Sequence, residues 1–160
     1  MLASLDGLEG ITAIGKDDGG KSIQVPALKS VSGLRRVAGA LPGSLVIKFA
    51  DQLASLEGLQ GITAIGSDTE GRSIVIHSAP ALESVSGLHG VAGALPGSLI
   101  IIDSLVIGSA DNLASLDGLE GITAIGDDTV GFSIVLNSVP ALESVSGLHG
   151  VAGALPGSLI

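Results

Sequence analysis

Three histidines, His77, His89 and His149, are the side chains most able to move protons or hold a metal in this 160-residue sequence. Either role needs partners at defined spacing. His89 and His149 occupy the same point in two copies of Ser-Gly-Leu-His-Gly-Val-Ala-Gly-Ala-Leu-Pro-Gly-Ser-Leu. Two units apart in a stack of strands, they fall roughly 10 Å from each other, too far to share one ion. His77 stands in a separate strand-like run, and the serines near the histidines belong to repeated columns. No Ser/His/Asp arrangement stands out, and no catalytic residue is assigned. The acidic turns Lys16-Asp17-Asp18, Ser67-Asp68 and Asp127-Asp128 carry the hard oxygen donors that calcium takes. They lack the dense spacing of a calcium loop, and tight turns favour Asp and Gly without any metal. No metal ligand and no cofactor site is expected.

The remaining polar pattern is regular. One serine ladder runs Ser4, Ser30, Ser55, Ser84, Ser115, Ser144; a second runs Ser22, Ser44, Ser73, Ser98, Ser133, Ser158. Stacked hydroxyls at a corner can serve one another and nearby backbone groups. A third column, Thr12, Ala38, Thr63, Ala92, Thr123 and Ala152, holds only small side chains and is the candidate binding face. Such a plane suits contact with another flat surface or an ordered layer of water.

What must position these columns is a repeat. Six units of 25–31 residues open on Leu2, Leu28, Leu53, Leu82, Leu113 and Leu142, with odd and even units alternating in character. Each holds three segments of strand length separated by Gly, Pro and Asp, as at Pro42-Gly43, Pro96-Gly97 and Asp127-Asp128. No stretch sustains a helical period, and the 25 glycines would penalise one. The pattern predicts an all-β fold, a parallel β-solenoid (β-helix) of about six coils, with residues 1–160 forming one repeat array. Leu8, Leu34, Leu59, Leu88, Leu119 and Leu148 should form an inward ladder, and Gly7, Gly33, Gly58, Gly87, Gly118 and Gly147 should mark corners. Unit 1 lacks three residues before Pro26, and unit 4 carries an apolar insert, Ile102-Asp103-Ser104-Leu105-Val106-Ile107, that reads as a bulging loop or an extra edge strand.

Composition limits the partners. A formal charge of −9, with all seven basic residues before residue 73, gives no phosphate-binding surface and predicts no nucleic acid partner. The richest apolar run, Leu99 to Ile107, is broken by Asp103 and Ser104, so no membrane span is expected. Without cysteine there is no disulfide framework. Aromatics make up 1%, which disfavours carbohydrate recognition and leaves a core of Leu, Ile, Val and Ala. Met1-Leu2 and Leu159-Ile160 show no polar cap. Both ends read as cut from a longer array, and end-to-end self-association is expected.

Gly-Ser-Leu-x-Ile followed by Pro-Ala-Leu-x-Ser-x-x-Gly-Leu, at Pro26-Ala27-Leu28, Pro80-Ala81-Leu82 and Pro140-Ala141-Leu142, resembles the receptor L-domain family of leucine-rich right-handed β-helices. The resemblance implies a cell-surface or extracellular setting and binding or adhesion through an exposed face. It does not carry over hormone or growth-factor binding, because the cysteine-rich neighbours are missing. Three functional expectations follow: a non-enzymatic binding or adhesion module, an ice-binding solenoid using the Thr/Ala and Ser columns, and a structural element that stacks end to end.

Overall fold

The structure, a computed structural model, describes residues 5, 7–102 and 112–160. Its strands are β1 (Lys21–Pro26), β2 (Gly39–Leu41), β3 (Ser44–Lys48), β4 (Ile62–Ile65), β5 (Arg72–His77), β6 (Gly93–Leu95), β7 (Ser98–Ile102), β8 (Ile122–Ile125), β9 (Phe132–Asn137) and β10 (Ser158–Leu159). One from each unit builds a six-stranded sheet in the order β1-β3-β5-β7-β9-β10, and every neighbouring pair is parallel. That is a parallel β-solenoid, all-β, in which each unit is one coil.

Register explains why the small aliphatics suffice. Leu45 pairs with Ile74 and Ile47 with Ile76; Ile74 pairs with Leu99 and Ile76 with Ile101. Like residues therefore stack on like along the inner side of the sheet. The leucine ladder completes the core: Leu34, Leu59, Leu88 and Leu119 are buried, Leu148 packs against them, and Leu8 on the first coil is half open. Strand alternation sends Val46, Val75, Ile100 and Val135 to the opposite side, yet they too are buried, in a separate cluster with Ile102 and Phe132 packed against it. A parallel sheet covered on both faces reads as a continuous apolar run, as Ser98–Ile102 does.

The three segments of each unit do not behave alike. Only the third forms a continuous sheet. The second pairs in twos, β2 with β4 and β6 with β8, and the first contributes isolated bridges, Ser55 with Ser84 and Ser115 with Ser144. The corners show why. In even coils Ser-Gly-Leu winds into a single 3-10 turn at Ser32–Leu34, Ser86–Leu88 and Ser146–Leu148. There a Cβ on Gly87 would meet the Leu56 carbonyl oxygen at 2.0 Å, so close coil approach demands glycine. In odd coils Gly7, Gly58 and Gly118 turn with φ of 96°, 116° and 109°, where L side chains are strained. Neither corner is compatible with a long strand.

The three residues missing from coil 1 fall not before Pro26 but in the corner after β1, where Ala27 at φ 59° takes the place of Ser78 at φ 55°. β1 keeps the six residues of β5, and its last, Pro26, pairs with Lys48 in the column that His77 occupies two coils on. Proline is tolerated there because β1 is an edge of the sheet. Of the apolar insert, Ile102 closes β7; Asp103–Ile107 lies outside the described residues.

Candidate functional site

Thr12, Ala38, Thr63, Ala92, Thr123 and Ala152 are all exposed. The cause is local: in Ile-Thr-Ala-Ile the two isoleucines of β4 and β8 are buried in the core, leaving Thr between them outside. The backbone ties the six in pairs, the N–H of Ala38 donating to the Thr12 carbonyl at 3.1 Å, Ala92 to Thr63 at 3.0 Å and Ala152 to Thr123 at 3.1 Å. Between pairs the ladder slips. Gly39 faces Ile62 and Ala40 faces Ala64, so Thr63 is an extra residue opposite a bulge; Thr123 repeats this between Ile122 and Ala124. The column is therefore three bonded steps and not one unbroken rail. Beside it lies a second line of small residues, Ala40, Ala94 and Ala124 exposed and Ala64 half-buried.

The second serine ladder turns inward over its middle four coils, and the first, among the described residues, is half-buried. In the second, Ser44, Ser73, Ser98 and Ser133 are fully buried. Ser22, Ser73 and Ser133 accept the N–H of Gly43, Gly97 and Gly157 on the following coil at 2.8–2.9 Å. Ser44 and Ser98 hydroxyls have no hydrogen-bond partner. In the first ladder, Ser30, Ser84 and Ser144 accept the N–H two residues on, at 3.0–3.1 Å, and Ser55 and Ser115 do so at 3.3 Å. Neither ladder adds hydroxyls to the Thr/Ala face.

One carboxylate in each acidic turn holds that turn. Asp68 Oδ1 accepts the Glu70 and Arg72 N–H groups, and its Oδ2 accepts from Arg72 Nε at 3.0 Å and Nη2 at 2.9 Å. Asp128 Oδ1 takes the Val130 and Phe132 N–H groups in the same way, and Asp17 Oδ1 takes that of Lys21. Among the described residues no group of three or more His, Asp or Glu could hold a metal. His77 projects beside Phe49, ring centroids 5.5 Å apart and edge-on.

A column of which the sequence showed only His89 and His149 follows the ladder leucine: Glu9, Arg35, Gln60, His89, Glu120, His149. In odd coils its side-chain oxygen accepts the N–H of the positive-φ glycine two residues back: Gly7 at 3.1 Å, Gly58 at 2.7 Å, Gly118 at 2.9 Å. In even coils the histidine Nδ1–H donates to the Ser86 and Ser146 carbonyls at 2.9 and 2.8 Å. The Gly118 N–H and its own backbone N–H hold the Glu120 carboxyl below the usual carboxylate range; burial opposes them slightly and the flanking His149 and His89 assist. The signal was the Glu or Gln in Gly-Leu-x-Gly of every odd unit. An apolar recess bounded by Ile76, Leu82, Ile101 and Leu113 presents aliphatic walls, and none of these side chains can transfer a proton.

Among the described residues no helix is long and apolar enough to cross a membrane. Comparison with protein-family models, with curated proteins and with solved structures found no match to this chain. The molecule is defined by its architecture: a parallel β-solenoid with an exposed column of small residues on one face.

Proposed function

We propose that the chain is a non-enzymatic binding or adhesion module of the extracellular space or cell surface, in the manner of the receptor L-domain arrays it resembles. Its working face is Thr12, Ala38, Thr63, Ala92, Thr123 and Ala152. The observation that carries this reading is that all six are exposed, Thr63 and Thr123 even though they stand among the buried Ile62, Ile65, Ile122 and Ile125. Small side chains on a backbone fixed by inter-coil hydrogen bonds lose little entropy on contact, so a broad surface can be engaged without ordering long side chains. The carboxylates of Asp17, Asp68 and Asp128, in contrast, are tied to backbone turns. Beads coated with the chain should adhere to matrix-coated or cell surfaces, and Thr63→Lys with Thr123→Lys should abolish adhesion. Gln24→Lys, an exposed position on the main sheet, should leave it intact. Equal adhesion by all three would remove the face from consideration.

A second reading, ice binding, is favoured by one feature: an exposed threonine recurs on every second coil, at Thr12, Thr63 and Thr123. It predicts thermal hysteresis and shaped ice crystals that the double lysine variant loses. Absence of hysteresis at millimolar chain would end it.

A further inference from the structure

We propose that the chain assembles head to tail with further copies of itself, coil 6 of one copy seating on coil 1 of the next through the contacts that join coil 4 to coil 5 within the chain. The two exposed ends carry the sequences of that internal junction. Residues 140–160 repeat residues 80–100 without a change, and residues 2–15 repeat residues 113–126 without a change. Coil 4 seats coil 5; coil 6 therefore presents the seat, and coil 1 presents what sits in it.

Burial shows what the junction covers and the ends leave open. Val85 is 1% exposed and its copy Val145 51%; Leu99 is 0% exposed and its copy Leu159 67%. On the other partner Leu119 is 1% exposed and Leu8 37%, while Ile122 is 0% exposed and Ile11 36%. Among the described residues the turns of both surfaces already have the docked geometry. The Leu8→Leu5 and Ile11→Leu8 turn bonds of 3.1 and 2.9 Å match Leu119→Leu116 and Ile122→Leu119 at 3.2 and 3.0 Å. The Ser146–Leu148 turn matches Ser86–Leu88. Little has to be ordered on association.

Backbone pairing continues through the same step. Within the chain the Gly93 N–H donates to the Gly121 carbonyl and the Gly126 N–H to the Leu95 carbonyl, both at 2.9 Å. The corresponding groups at the ends are on Gly153 and Leu155 of one copy and Gly10 and Gly15 of the next. The main sheet ends on β1 and β10, two edges that a second copy would pair. Charge adds only a weak polarity: the first two coils set six basic residues against Asp6, Glu9, Asp17, Asp18 and Asp51, whereas the last two hold Asp117, Glu120, Asp127, Asp128 and Glu143 with no Lys or Arg after Arg72.

Glycines supply the test. A Cβ on Gly121 would meet the Val91 carbonyl oxygen at 2.4 Å and one on Gly126 the Pro96 carbonyl oxygen at 2.2 Å. A Cβ on Gly10 or Gly15 meets nothing within 4 Å. Gly10→Val with Gly15→Val thus has room within one copy and collides with a docked one. Val145→Arg with Leu159→Arg changes two exposed residues on the opposite end. Sedimentation velocity from low to high micromolar chain should show the unmodified protein as a growing series of oligomers, weakened in part by salt. Each variant alone should stay monomeric, and their equimolar mixture should stop at a dimer, because one intact end remains on each. Circular dichroism of the dilute variants checks the fold, and Gly15→Ala replaces the double valine change if that unfolds. A monomeric parent at every concentration overturns the proposal. So does a variant that polymerises like the parent, or a mixture that fails to pair while the parent polymerises.

Discussion

Truncating Leu88 to alanine removes three carbons from a position with 0% exposure at the middle of the leucine ladder. At ~0.8 kcal/mol per buried carbon the transfer loss is about 2.4 kcal/mol. The site is closed above and below by Leu59 and Leu119, themselves 0% and 1% exposed, so a cavity remains and the total rises to roughly 3–4 kcal/mol. Leu8 is the same residue of the same ladder, but 37% exposed. There the transfer loss scales down to about 1.5 kcal/mol, and an open site leaves no enclosed void. Thr63→Ser, on the exposed column, should stay within about 0.5 kcal/mol. Guanidinium unfolding of the three variants, at concentrations too low for association, gives the ranking through the shift in midpoint. Comparable losses at Leu88 and Thr63, or a larger loss at Leu8 than at Leu88, would refute the inward and outward assignments.

Three further expectations test particular groups. Ser73→Ala should cost about 1–2 kcal/mol by stranding the buried Gly97 N–H, whereas Ser98→Ala, which removes a buried hydroxyl with no partner, should raise stability by about 1 kcal/mol; the same sign for both, by chemical denaturation, would contradict the ladder geometry. Ser78 holds φ 55° and a buried unpartnered hydroxyl, so Ser78→Gly should stabilise by about 1 kcal/mol after the glycine entropy cost; destabilisation by the same assay would mean the corner is unstrained. Glu120 has a folded pKa below its ordinary 4.5, so its contribution is complete above that value and is lost as pH falls through the lowered one. Glu120→Gln, which copies Gln60 capping Gly58, should flatten that acid limb of the stability profile, and an unchanged limb would place the acid sensitivity elsewhere.

Much of the fold was legible because the columns repeat. Leu8 to Leu148 and the isoleucines of Ile-Thr-Ala-Ile announce an inner side, and the alternation around Thr63 announces its exposure. The unequal roles of the three segments were not legible. Both Ser-Gly-Leu and Gly-Leu-x-Gly look like strand ends, and only the geometry separates a 3-10 turn at Gly87 from a positive-φ turn at Gly58. The bulges at Thr63 and Thr123 arise from pairing a Gly-Ala-Leu coil with an Ile-Thr-Ala-Ile coil one residue longer, a mismatch visible only once the partners are known. Ala27, Phe49, Ser78 and Ser138 adopt positive φ without being glycine, so composition gave no sign of that corner. The second buried cluster at Val46, Val75, Ile100 and Val135 was hidden because alternation alone assigns those residues to an outer face.

Alternate coils stack Thr12, Thr63 and Thr123 in one line on one exposed side. The chain has no cysteine, so pairs introduced at these positions can carry spin labels without background. Two coil steps of ~4.8 Å place the backbones at positions 12 and 63, and at 63 and 123, about 10 Å apart, and those at 12 and 123 about 20 Å apart. Electron paramagnetic resonance distances should follow that progression, short for both neighbouring pairs and doubled for the outer pair, within the reach of the label arms. An outer pair no farther apart than the neighbouring ones, or a neighbouring pair beyond about 25 Å, would contradict the stacked face.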